Sequence, residues 1–117
     1  MKIRHTVIFT FYDTTTKAQI DEVVSRLSSM GEYLQRELGV TGWTVARHLP
    51  ETFKARRAHL LEDGIFPSLE ALAAFADSEE HKRVLELTAQ VCDWMTVDTI
   101  ISEGSGQAAT AKTQDES

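Results

Sequence analysis

Three histidines in this chain fall where their rings could exchange protons inside a folded core, and His81 is the best placed of them. It sits in Phe75-Ala-Asp-Ser-Glu-Glu-His81-Lys-Arg-Val84 and is followed at i+3, i+4, i+7 and i+10 by Val84, Leu85, Thr88 and Val91. Helical geometry puts those positions on one stripe, so the imidazole belongs to the apolar side of its helix. Ser78 is a suitable N-cap three residues earlier and places His81 in the first turn. The positive end of the helix dipole and burial both oppose protonation there, which predicts a ring able to accept or donate a proton. His5 shares a strand face with Val7, Phe9 and Phe11, and His59 shares one with Leu61. If both faces meet the helices, His5, His59 and His81 line one cavity with Val7, Phe9, Leu27, Leu61, Phe75 and Trp94.

Each histidine taken alone has a plainer reading, as a hydrogen-bonded structural residue, and the aromatic and aliphatic positions could be ordinary core. Taken together the three favour a pocket. An unsatisfied polar group in a core costs about 1–3 kcal/mol, and a small domain rarely holds several without a use. His48, beside a polar loop, reads as a surface residue. Three imidazoles could hold zinc with an open position, but the spacings follow no metal motif and no metal is expected. Cys92 lies at the far end of the His81 helix, where the dipole disfavours a thiolate, and reads as a structural thiol. No phosphate-cradling glycine loop, nucleophile elbow or dinucleotide fingerprint occurs, so no cofactor is expected.

The elements that would position these residues follow from hydrophobic period. Ile3 to Phe11 alternates as a strand, with Arg4, Thr6, Ile8 and Thr10 on its second face. Thr16 and Gln19 form a capping box ahead of Ile20, Val23, Val24, Leu27, Met30, Leu34 and Leu38, a long amphipathic helix closed by Gly39. Val40 to Leu49 is a second strand, stopped by Pro50. Ala58 to Phe66 is a third, with Asp63-Gly64 suggesting a bulge. Pro67-Ser68 opens a short helix through Leu69, Leu72 and Phe75, Ser78 opens the helix that carries His81 to Cys92, and Trp94 to Ile101 is the last strand.

The order strand, helix, strand, strand, helix, strand is the split βαβ arrangement of ferredoxin-like α+β domains, with one four-stranded antiparallel sheet. Helices then cover one face, and a homodimer packed sheet to sheet would cover the other. Residues 1–102 form a single domain. Residues 103–117 are small and polar without apolar period, the pattern of a disordered tail.

Composition narrows the partners. In 117 residues, 42% are apolar, enough for one core, and the net charge of −6 with no basic stripe argues against nucleic acid. One cysteine excludes an internal disulfide and suits a reducing interior. Apolar runs are too short to span a membrane, and Met1-Lys2-Ile3 enters a strand directly, so a cytoplasmic protein is expected.

Ile3-Arg4-His5-Thr6-Val7-Ile8-Phe9-Thr10-Phe11, the stretch from Ser68-Leu69-Glu70-Ala71-Leu72 through Glu80-His81-Lys82-Arg83-Val84, and Val97-Asp98 together resemble the stress-responsive dimeric A/B barrel (Dabb) family. The resemblance covers Met1 to Ile101 and implies a ferredoxin-like protomer that pairs through its sheet into a dimeric α-β barrel. Within the family the chain is similar to polyketide cyclases of the olivetolic acid cyclase type, which close a chain by aldol condensation. That likeness puts the catalytic histidine on His81 and further pocket histidines on His5 and His59, the last offset by one residue near Asp63-Gly64. The catalytic tyrosine of that type is Phe75 here.

The resulting expectation is an acid–base enzyme of cyclase or isomerase type, a lyase-like activity in which His81 moves a proton beside a carbonyl and His5 and His59 orient the substrate. General acid–base help of about two to four orders of magnitude suffices for enolisation or cyclisation of an activated substrate. The alternative is a non-catalytic binder of a small hydrophobic metabolite, favoured by Phe75, with haem handling as a third reading.

Overall fold

A computed structural model describes residues 1–101; the tail expected over 103–117 lies outside the described residues. The chain forms β1 (Lys2–Phe11), α1 (Lys17–Leu38), β2 (Thr41–Arg47), β3 (Leu60–Phe66), α2 (Leu69–Ala76), α3 (Glu79–Val91) and β4 (Cys92–Ile101). The strands make one antiparallel sheet in the order β2-β3-β1-β4, the ferredoxin-like topology. β2 is shorter than its sequence pattern, and β4 begins two residues earlier than Trp94, directly from the C-cap of α3.

Local chemistry sets these limits. In α1 the Thr16 hydroxyl accepts from the Gln19 amide at 3.2 Å while Gln19 Oε1 accepts from the Thr16 amide at 2.8 Å, so two otherwise orphaned donors are satisfied reciprocally. At the other end Gly39 adopts φ 71°, and the amides of Gly39 and Val40 donate to Gln35 and Leu34, closing the helix as its glycine predicts. Val23, Leu27, Met30 and Leu34 of this helix are buried against Ile3, Val7, Phe9, Leu60 and Phe66 of the sheet. That layer is the core.

The bulge expected at Asp63-Gly64 is corrected. β3 pairs with β1 without a break from Ile3–Phe66 to Phe9–Leu60, and the irregularity lies in β2 between Thr41 and Thr44, where Gly42 adopts φ 64°. Gly64 has a packing reason instead. A Cβ there would stand 2.7 Å from Trp43 Cε3, and one on Gly31 of α1 would stand 2.7 Å from Trp43 Cδ1. The indole is clasped between two glycines, with its Nε1 donating to the Leu27 carbonyl at 3.0 Å.

An unbroken β3 also fixes which of its side chains face the helices. Leu60, Glu62, Gly64 and Phe66 are buried on the inner side, while Leu61, Asp63 and Ile65 alternate to the outer face beside Arg4, Thr6 and Ile8 of β1. Met95 and Val97 of the edge strand β4 extend that outer face and are 62% and 56% exposed. Among the described residues no helix is long and apolar enough to cross a membrane.

Candidate active site

The register of the sheet arranges the site as a grid. On the inner face Gly64, His5 and Asp98 form one row across β3, β1 and β4, Glu62, Val7 and Thr96 the next, and Leu60, Phe9 and Trp94 a third. Helix α3 lies over this grid with His81, Leu85 and Thr88 turned toward it, and a recess of about 60 Å³ remains between them. His5, Val7, Phe9, Glu62, His81, Leu85, Thr88, Trp94 and Thr96 line it.

His81 is held at both its backbone and its ring. Its amide donates to the Ser78 hydroxyl at 3.1 Å, and that hydroxyl in turn donates to the Phe75 carbonyl at 2.7 Å, so the junction of α2 and α3 is fixed at the residue that carries the ring. The ring Nδ1 lies 3.2 Å from the Ala76 carbonyl oxygen. A carbonyl can only accept, so Nδ1 carries the proton and Nε2 keeps a lone pair when the ring is neutral. The half-buried imidazole packs 4.6 Å from Phe75, edge to face.

His5 is buried and flanked by two acids. Its Nδ1 donates to Asp98 at 2.6 Å, while Nε2 stands 3.5 Å from Glu62, beyond a normal hydrogen bond. Burial by itself pushes the imidazole pKa down, but the nearby carboxyl groups of Glu62 and Asp98 outweigh it and hold His5 above its ordinary value of 6.5. Asp98 sits at the edge with its side chain 41% exposed, whereas Glu62 is 4% exposed. The Phe75 ring lies 6.1 Å from His5 as well as against His81, so one aromatic packs on both imidazoles.

Of the residues expected to line the site, the structure brings His5, His81, Val7, Phe9 and Trp94 together. His59 is not among them, which is a correction. Its Nδ1 accepts from the Phe11 amide at 2.9 Å and its Nε2 donates to the Arg56 carbonyl at 2.9 Å, so both ring nitrogens are used by backbone at the far end of the sheet. Leu61 is likewise misplaced by the expected pattern. It faces the open side of the sheet, near Ile8 and Ala46, because β3 lacks the bulge that would have turned it inward. Leu27 is deep core beneath Trp43 rather than a lining residue, and Phe75 packs behind both histidines without opening onto the recess.

With His59 elsewhere, the three-histidine zinc arrangement is not assembled, and among the described residues no group of three or more His, Cys, Asp or Glu is placed to hold a metal ion. His48 lies half-buried at the end of β2 with Nε2 against the Phe53 carbonyl, apart from the recess. Cys92 is buried, donates to the Thr88 carbonyl at 3.3 Å, and burial pushes its thiol up to about 11.

Glu62, Leu85, Asp98, Thr88 and Thr96 are the site residues that sequence reasoning assigned no role. The signal for Glu62 was available in the large apolar pair Leu60 and Phe66, whose common parity places a carboxylate inward between them. Cross-strand pairing of His5 with Asp98 needed a register that sequence alone does not supply.

Comparison with known proteins agrees with this topology. Residues 3–101 match the profile of the Stress responsive A/B Barrel Domain. A dimeric ferredoxin-like protein of unknown function from Thermobifida fusca YX superposes with a TM-score of 0.73 at 21% identity, over 86% of this chain and 92% of that one. A hydroxynitrile lyase from Passiflora edulis gives 0.71 at 19% identity, over 87% and 94%. A Dabb family protein with a ferredoxin-like fold from Mesorhizobium loti MAFF303099 gives 0.64 at 18% identity, over 87% and 98%. Comparison with curated protein sequences returns no match. At these identities the structures share the fold, and the profile match over nearly all the described residues carries the assignment: the chain belongs to the stress responsive A/B barrel (Dabb) domain family.

Proposed function

We propose that the recess between β1 and α3 is an acid–base site for a small carbonyl-containing hydrophobic molecule, with chemistry of the cyclase or isomerase type. The observation that carries this reading is His81 and His5 opening into one recess with different hydrogen-bond partners, a backbone carbonyl for one and a carboxylate for the other. His81, with its Nδ1 proton on the Ala76 carbonyl, offers the Nε2 lone pair as a base. His5, biased toward its cationic form by two acids, offers a proton to a developing oxyanion. A lone pair and an acidic N–H converging on one space are the groups an acid–base step needs.

A volume of about 60 Å³ accommodates a reacting group of a few atoms, well below the several hundred Å³ of a typical ligand site. The rest of a larger substrate would lie outward along Trp94 and Thr96, both exposed on the edge strand. The hydroxynitrile lyase of the same fold gives outside support for lyase-type chemistry on this scaffold. A homodimer through the outer sheet face belongs to the same reading, supported by the apolar Ile8, Leu61, Ile65, Met95 and Val97 on that face and by relatives of this fold described as dimeric. A cytoplasmic setting suits the single buried thiol.

Phe75 favours a second reading, a binder that leaves its guest intact. It packs on both imidazoles and has no hydroxyl to hold a carbonyl. Calorimetric titration of small ketones, lactones and β-keto thioesters, with mass spectrometry of the recovered compound, separates the two. Conversion by the wild type and its loss in His81→Ala is the outcome for an enzyme; tight binding with every compound returned unchanged would establish the binder.

A further inference from the structure

We propose that Glu62 is a ligand-contacting carboxylate, which makes the recess selective for molecules presenting a hydroxyl or protonated amine and closes it to anions. This deepens the reading of the same recess as a small-molecule site and rests on it. Glu62 is 4% exposed and lines the recess, and the one contact to its carboxylate among the described residues is the long approach of His5 Nε2. Among the described residues its one basic neighbour within 4 Å is His5, at 3.5 Å. No lysine or arginine among the described residues pairs with it.

A buried carboxylate left with one distant partner is costly, and such groups are ordinarily paired. The strand offers no relief. Gly64, the next inward residue of β3, carries no side chain, and the space above it is filled by the Trp43 ring. His5 cannot close on Glu62 because its other nitrogen is committed to Asp98 at 2.6 Å. The remaining open direction is the recess, whose other polar linings include the hydroxyls of Thr88 and Thr96.

Charge count then selects the guest. The Asp98–His5–Glu62 cluster sets two carboxyl groups against one imidazole, facing a cavity walled by Val7, Phe9 and Leu85. A carboxylate or phosphate entering there would meet like charge in a poorly solvated space, whereas a donor would satisfy Glu62 directly. The ligand class is therefore a compact carbonyl compound that also carries a hydrogen-bond donor.

Three probes of one carbon skeleton test this: isobutanol, isobutylammonium and isobutyrate, titrated at about pH 7 into the full chain while the His5 and His81 ring signals are followed by NMR. The alcohol and the ammonium should shift both histidines and isobutyrate should shift neither. Glu62→Gln should weaken the ammonium by roughly tenfold or more, the scale of one charge-assisted hydrogen bond, and reduce discrimination against isobutyrate. Equal binding of isobutyrate and isobutanol to the wild type overturns the role of Glu62 while leaving the site in place. No shift at His81 with any of the three overturns the recess as a ligand site altogether. The wild-type comparison stands without the variant, should Glu62→Gln fold poorly.

Discussion

His5 and Asp98 face each other directly across the β1–β4 ladder, and a hydrogen bond of 2.6 Å joins the imidazole to the carboxylate. With Glu62 on the opposite side at 3.5 Å, the ring is a buried cation candidate held by two acids on flanking strands. Its protonation is consequently tied to the stability of the sheet.

The sign of that linkage is fixed by the direction of the shift. Burial opposes the charged ring, but Glu62 and Asp98 prevail and the folded-state pKa lies above the ordinary 6.5. Protonated His5 therefore stabilises the fold fully below pH 6.5, and that contribution is lost as pH rises through the higher folded value. Urea denaturation across this window should show stability falling toward alkaline pH, and the fall should flatten in His5→Asn. An unchanged slope in the variant would assign the pH dependence to another group.

Trp43 is clasped by Gly31 and Gly64, each of which would bring a Cβ to 2.7 Å from the indole. Gly64→Ala should destabilise the protein by about 1–3 kcal/mol, the usual cost of overpacking a filled core. Because Trp43 touches Phe75, with ring centres 6.5 Å apart, the displacement should also disturb the ring that packs on His5 and His81. Equilibrium unfolding followed by tryptophan fluorescence measures the first effect, and the His81 ring signals report the second.

Cys92 should be inert in the folded protein. Its thiol is buried and pushed up to about 11, so little thiolate exists near neutral pH, and a thiol-reactive disulfide reagent should react slowly until denaturant is added. Rapid labelling of the native protein would contradict the buried placement.

The outer sheet face makes a separate prediction about assembly. Leu61 and Val97 both point to that face, at register positions flanking β1. Replacing either with Glu should convert a dimer seen by sedimentation into a monomer, since like charges would be brought together at an interface between identical copies. Dimers that persist in both variants would place the interface elsewhere.

The first strand was legible because its two faces differ in chemistry: His5, Val7, Phe9 and Phe11 against Arg4, Thr6, Ile8 and Thr10. The helices were legible through their caps, Thr16 with Gln19 and Ser78 with His81, which the structure reproduces as hydrogen bonds. β3 was not. His59 and Leu61 share a parity that looked interior, and Asp63-Gly64 imitates a bulge, whereas Leu60 and Phe66 set the true inward face and carry Glu62 with them. A carboxylate at an inward strand position breaks the alternation on which sequence reading depends, and such local contradictions concentrate at functional sites. Asp98 was hidden for a different reason, since its role depends on pairing between residues far apart in the chain.

Proton transfer beside a carbonyl in the recess between β1 and α3 should appear as α-proton exchange of hydroxyacetone in heavy water, a ketone of a few heavy atoms, suited to a space of about 60 Å³, that also carries a hydroxyl. The wild type should accelerate exchange, His81→Ala should lose roughly a hundredfold or more of that acceleration, and His48→Ala, altered outside the recess, should retain it. Exchange in His81→Ala as fast as in the wild type would contradict the claim.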